Sequence, residues 1–397
     1  MTLSRRALAV RPSPTLGITA RAKQLQKEGK DVVGLAAGEP DFDTPEHIKD
    51  AARRALGEGH TKYTPSSGTP ELRAAIASKL ARENQYVCAP EDVVVGAGAK
   101  FVLYLFFQAA VDEGDEVVIP TPAWMTYADM SVLAGGTPVY VRCRAEDGFA
   151  LDPAKLRAAI TPRTRAVVLN SPSNPTGAVY TPENLAAVAR ALEGTNAWIV
   201  TDDIYEHLQY GGRAFSNLLN VAPELKARTL VVNGVSKAYA MTGWRIGYAA
   251  GPRELVAAMG RIADNSTSNP GSISQQAALA ALTGPQESVG AMRAQFEKRK
   301  DFITARLRSM PGVKLVEPGG AFYAFPDVSF ALEASHRGER VGTSARLCEI
   351  LLNDFGVAVV PGAPFDGEGH VRLSFACSME TLAKGLDRVA AGLAALS

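Results

Sequence analysis

The chain has 397 residues, 46% apolar and 21% charged, with a formal net charge of +1. That length accommodates one large or two smaller domains with a substantial core. Lys and Arg are scattered among Asp and Glu, so no basic stripe forms and nucleic acid is not an expected partner. The four cysteines (Cys88, Cys143, Cys348, Cys377) form no CxxC and the five histidines do not cluster. Reduced thiols and no metal site are expected. The most apolar run, Phe101–Val111, is too short to cross a bilayer, and no apolar stretch follows Arg5 and Arg6 to make a secretory signal. A cytoplasmic protein without a membrane partner is expected.

Along the chain, Arg11-Pro12-Ser13-Pro14-Thr15 is loop-like, and Arg11 alone is an ordinary surface charge. Gly38–Pro45 and Tyr63–Pro70 are loops rich in glycine and proline. Strands are predicted at Asp92–Val95, Glu116–Ile119, Pro138–Val141, Ala166–Leu169, Trp198–Val200 and Thr229–Asn233. Helices fit between several of them. Thr69-Pro70-Glu71, Asp152-Pro153 and Thr181-Pro182-Glu183 each place a capping side chain before a proline at the first helical position. Continuous Val/Ile runs alternating with helices predict an α/β fold with a mostly parallel sheet, where ligands bind at the carboxyl ends of strands. The last third differs. A long charged helix from about Glu287 to Met310 precedes strand pieces at Val313–Val316 and Ala321–Phe325. A helix near Arg346–Phe355, a loop at Pro361–Gly369, strands near Val357–Val360 and Val371–Phe375, and a final helix follow. This pattern predicts a smaller α+β unit, joined by the N-terminal segment.

Several strand ends carry residues with chemical potential. Lys237 follows the Thr229–Asn233 strand, where desolvation disfavours the ammonium and makes the amine a usable nucleophile. Arg245, eight residues on, offers a donor fork for phosphate or carboxylate. An amine with a phosphate anchor is what pyridoxal phosphate requires. Asp202 ends the Trp198–Val200 strand with Tyr205 three residues on; such a carboxylate can hold a pyridine nitrogen, or can simply cap a turn. Asn174, in Asn170-Ser171-Pro172-Ser173-Asn174-Pro175-Thr176-Gly177, can present its amide from a proline-stiffened loop, or the segment can be only a turn. Gly96-Ala97-Gly98-Ala99-Lys100 opens a helix and suits one phosphate. It matches neither the dinucleotide fingerprint nor a Walker A loop. Trp124 can stack on a flat ring or pack under its loop. Arg372 alternates with apolar residues in His370–Phe375, and if buried it needs a partner.

Together these segments resemble the class I/II aminotransferases of pyridoxal phosphate fold type I, with the bacterial aspartate and prephenate aminotransferases the nearest subgroup. The resemblance runs from Ala37-Gly38-Glu39-Pro40-Asp41-Phe42 through Tyr63, the Asn174–Gly177 turn, Asp202–Tyr205 and Ser236–Tyr248 to His370–Ala376. It implies a large domain with a mostly parallel seven-stranded sheet (45–285) and a smaller α+β domain (1–44 with 286–397). It implies that Lys237 carries pyridoxal 5'-phosphate as a Schiff base, that Asp202 binds the ring nitrogen, and that Tyr205 and Asn174 hold the phenolic oxygen. Trp124 would stack on the ring. Gly98, Ala99, Ser236 and Arg245 would hold the phosphate, Lys100 would lie beside it, and Tyr63 would reach over from the partner of a homodimer with shared sites. Arg372 would clamp the substrate α-carboxylate, with Gly38 closing over it and Asn174 and Trp124 nearby. Asp203 stands where the family often has Glu, so the cofactor role stays with Asp202. The distal-carboxylate arginine of one branch has no counterpart in Asp264–Pro270. Lys100 and Arg11 match the basic residues that serve the bacterial subgroup instead. The implied activity is ping-pong transfer of an amino group between an L-amino acid, aspartate or glutamate first, and a 2-oxo acid. Prephenate or aromatic substrates, β-lyase chemistry on the same cofactor, and a non-catalytic ligand-binding module are the competing readings.

Overall fold

The computed structural model describes residues 2–10 and 14–397; Arg11 lies outside them. At its centre is a sheet of seven strands: β1 (Val93–Gly96), β2 (Glu116–Thr121), β3 (Thr137–Arg142), β4 (Thr164–Asn170), β5 (Trp198–Asp202), β6 (Thr229–Gly234) and β7 (Gly247–Ala250). Their spatial order is β1-β7-β6-β5-β4-β2-β3. Strands β1 to β6 run one way, and β7 runs against both of its neighbours. Six correspond to the apolar runs of the sequence. The seventh, four small or aromatic residues next to the Lys237 loop, does not announce itself by composition.

Buried strands divide their side chains between two faces. Val93, Val95, Val118, Val167, Ile199, Val231 and Tyr248 enter one core, while Val94, Val117, Ala166, Val168, Val200, Leu230 and Ala249 enter the other. The three proline-led helices begin as expected, with Thr69, Asp152 and Thr181 side chains accepting from first-turn amides. That capping typically adds about 1 kcal/mol per helix. The most apolar run is a helix, Ala99–Ala110. No described helix is long and apolar enough to cross a membrane.

A third cluster gathers Val33 and Leu35 with Phe296, Ile303, Leu347, Val357, Leu373, Phe375 and Leu386. The N-terminal segment joins it through Val33–Gly34, which pairs with Val357–Ala358. The long helix spans Glu287–Arg308, and a helix at Ser344–Phe355 and a final one at Met379–Ala394 match expectation. Here Val371–Ser374 lies between Val360–Pro361 and Tyr323–Ala324 in an antiparallel sheet. The strand predicted at Val313–Val316 does not form, and only one bridge, Lys314 to Asp327, is made. Pro326 precedes that bridge and has no N–H to extend a ladder, while Pro318 and two glycines follow Glu317.

The strand register decides what meets at the carboxyl edge. Asn170 lies opposite Asp202, and Gly247 lies between Gly96 and Gly234. The loops leaving β1, β4, β5 and β6 therefore open onto the same space, as the switch-point geometry of such sheets requires.

Candidate active site

A cleft of about 260 Å³ opens at that edge. Gly38, Ala99, Lys100, Trp124, Asn174, Asp202, Tyr205, Ser236, Lys237, Arg245 and Arg372 all line it. Eleven residues singled out from separate segments of the sequence thus converge. Gly98 stands just behind: a Cβ there would collide with the Arg245 guanidinium, and its φ of +90° suits glycine. Tyr63 does not join its own cleft and is 93% exposed.

At the floor, Asp202 is buried at the end of β5. Tyr127 donates its hydroxyl to Asp202 Oδ2 at 2.6 Å, and the Ile204 amide donates to Oδ1 at 3.3 Å. Burial nevertheless dominates and pushes the Asp202 pKa up to about 6. A cation placed against this carboxylate would bring it back down. Asp203 points elsewhere, accepts from Asn217 Nδ2 at 2.9 Å, and burial pushes its pKa well above the ordinary carboxylate range.

Lys237 lies just past β6, and its Nζ donates to the Gly38 carbonyl at 2.6 Å. Burial, offset in part by Glu39 and reinforced by Arg245 and Arg372, lowers its pKa to about 8. That amine is far easier to deprotonate near neutrality than an ordinary lysine. The carbonyl comes from the loop that Asp41 anchors through a two-pronged pair with Arg299, at 2.6 and 3.0 Å.

On one side lies an anion cradle. Ala99 and Lys100 open the Ala99–Ala110 helix, where first-turn amides have no intrahelical acceptor. The helix start packs so closely on β7 that a Cβ on Gly247 would overlap the Ala99 amide. Arg245, itself at φ +57°, is steadied by the Thr242 and Ala97 carbonyls at 3.0 and 3.3 Å. Two cationic or dipolar donors and the Ser236 hydroxyl therefore converge where an anion would sit.

On the opposite side is Arg372, 2% exposed. Its Nη1 donates to Asn174 Oδ1 and its Nη2 to the Ala36 carbonyl, both at 3.0 Å. Its Nε is buried with no partner, and the titratable groups that bear on it are the neutral phenols of Tyr323 and Tyr205 rather than a carboxylate. A buried guanidinium without a counter-anion is costly, so the site is chemically short of one carboxylate. Asn174 is in turn tied to the sheet: its amide donates to Asn170 Oδ1, and Asn170 Nδ2 donates to the Asp202 carbonyl. At the mouth, Lys100 Nζ lies 4.9 Å from the Trp124 ring centroid. Lys100 is exposed as a residue, but partial desolvation of its ammonium against the cleft wall, together with the Arg245 charge, lowers its pKa.

The cleft also contains residues that sequence reasoning missed: Met125, Thr126, Tyr127, Asn170, Ile204 and Tyr323. Tyr127 stands three residues after Trp124, with their rings edge-to-face at 5.3 Å. Away from the cleft, Glu83, Glu206 and His207 lie at metal-ligand spacing. The cation they face is the buried Lys79, whose Nζ binds Glu206 and Asn84.

A family profile described as "Aminotransferase class I and II" matches residues 30–389. The chain belongs to that family. It is 49% identical over 389 residues to the aspartate aminotransferase of Geobacillus stearothermophilus, covering 98% of each chain. It is 49% identical over 390 residues to the aspartate/prephenate aminotransferase of Cereibacter sphaeroides, again covering 98% of each. A solved structure of Thermus thermophilus aspartate aminotransferase with maleate superimposes with a TM-score of 0.92 at 47% identity, covering 99% of this chain and 100% of that one. The chain is therefore an aminotransferase in sequence and in fold, and its cleft lies where that fold brings its strand ends together.

Proposed function

We propose that the cleft binds pyridoxal 5'-phosphate and transfers the amino group of a dicarboxylic amino acid, aspartate first, to a 2-oxo acid. The observation that carries this reading is the cleft's arrangement: a desolvated amine at Lys237, a buried carboxylate at Asp202, and a buried, anion-deficient guanidinium at Arg372. The donor set fits the cofactor. The cradle of Ala99, Ser236 and Arg245, with Gly98 behind it, suits an ester phosphate. Asp202 suits a protonated ring nitrogen, and Tyr205 with Asn174 suits a phenolic oxygen. When bound, pyridoxal phosphate supplies an aldehyde that accepts the amino group and a ring that withdraws electrons from the substrate α-carbon.

The protein's own groups divide the remaining work. Lys237 Nζ would hold the cofactor, and its pKa of about 8 suits a base that moves the substrate α-proton near neutrality. Asp202, oriented by Tyr127, would keep a proton on the ring nitrogen. Arg372 orients the substrate through its α-carboxylate, a positioning effect that can supply several kcal/mol of rate enhancement. Trp124 covers the ring and excludes water. Lys100, together with Arg11, meets the distal carboxylate, in keeping with the dicarboxylate named in the Thermus structure.

The reading extends to a cytoplasmic homodimer with shared sites. The 93% exposure of Tyr63 suits a side chain whose ligand lies in a partner's cleft. We also assign residues 45–285 to the large domain, and 1–44 with 286–397 to the small one. Prephenate, which also carries two carboxylates, is a second acceptor favoured by the name of the Cereibacter relative. A donor panel with 2-oxoglutarate, and prephenate as an alternative acceptor, tests the assignment. Aspartate should give the highest kcat/KM. Release of pyruvate and ammonia without any acceptor would instead indicate a β-lyase.

A further inference from the structure

Tyr323 touches both halves of the cleft, yet no role has been assigned to it. It sits on the Tyr323–Ala324 strand, whose register places it opposite Ser374, two residues beyond Arg372. The side chain is 1% exposed. Its ring lies 4.4 Å from Arg372 Cζ, with Phe365 near the same guanidinium at 5.3 Å. A planar cation held against an aromatic face keeps its orientation. The Tyr323 hydroxyl lies 3.0 Å from the Tyr205 hydroxyl, with the rings edge-to-face at 83°.

The direction of that bond follows from counting protons. Two hydroxyls share one hydrogen bond, so one proton is left over. No other partner of the Tyr323 hydroxyl lies within hydrogen-bond distance among the described residues. The same holds for the Tyr205 hydroxyl, so in the protein alone either can donate. When Tyr205 gives its one proton to the phenolic oxygen of bound pyridoxal phosphate, only Tyr323 can donate between the two. Hydroxyls linked in this way strengthen one another as donors.

We propose that Tyr323 is a positioning residue that donates to Tyr205 and carries the plane of Arg372, so that the cofactor and carboxylate halves of the site are held by one side chain. The inference rests on the reading that pyridoxal phosphate binds this cleft with Tyr205 at its phenolic oxygen. Tyr323→Phe removes the donor and keeps the ring, whereas Tyr323→Leu removes both, with Tyr323→Met taking its place if the leucine variant does not fold. Two readouts independent of turnover apply to the purified holoenzyme: the midpoint of its visible-absorbance pH titration, and its Kd for maleate.

In Tyr323→Phe the midpoint should rise by about half a pH unit, because a weaker Tyr205 donor leaves more negative charge on the phenolic oxygen to retain the adjacent proton. Maleate affinity in that variant should stay within about threefold of wild type. In Tyr323→Leu the midpoint should rise similarly, and maleate should bind about tenfold more weakly. An unmoved midpoint in Tyr323→Phe, or unchanged maleate affinity in the aliphatic variant, overturns the inference. Wild-type protein that takes up no pyridoxal phosphate overturns the cofactor reading beneath it, and the two failures are distinguished by that control.

Discussion

Asp202, Asn170 and Lys237 lie on or just past paired strands at the floor of the cleft, whereas Lys100 and Trp124 at its mouth stand on a first helical turn and a loop. The floor is internally bonded: Asp202 to Tyr127 and Ile204, Asn170 to Asp202 and Asn174, Asn174 to Arg372. The mouth has few such ties. Lys100 is exposed and is steadied mainly by the Trp124 face. Chemistry common to many substrates is thus built into the sheet edge, and selectivity is left to side chains that can change without disturbing it.

The sharpest way to break this division is at the floor. Lys237→Ala should lower turnover by about 10⁴-fold or more and abolish the visible band formed with pyridoxal phosphate. Retention of both by the variant would remove the floor from the chemistry. Arg372→Leu should follow, with kcat/KM for every amino acid falling about 100-fold or more, because the α-carboxylate is common to all. A loss confined to dicarboxylates would move Arg372 to the mouth. The smallest effects belong to Lys100→Ala and Arg11→Ala. Each should cost about five- to tenfold in kcat/KM for aspartate and much less for alanine, since a single flexible cation contributes modestly. Equal losses for the two amino acids would deny these residues a distal-carboxylate role.

Legibility in the sequence follows the same division. Apolar runs and proline-led caps specify β1 to β6 and three helix starts through local physics, and residues next to those runs line the cleft. Val313–Val316 misled because a strand also needs a partner, and Pro326 interrupts the one available. Gly247–Ala250 was hidden because its small residues carry no strong pattern. Tyr127 and Tyr323 were invisible for a different reason. Each looks like a core aromatic, and its function depends on hydroxyl contacts across 75 and 118 residues of sequence. Arg11 lies outside the described residues, so its part in selectivity rests on substrate kinetics.

On the proposed function, the Lys237 amine, and not that of Lys100 in the same cleft, carries the cofactor. Borohydride reduction of the protein with bound pyridoxal phosphate, followed by peptide mass mapping, tests it directly. One pyridoxyl-modified peptide containing Lys237 and loss of the visible band on reduction are expected. A label on Lys100, or on no lysine of the cleft, would contradict it.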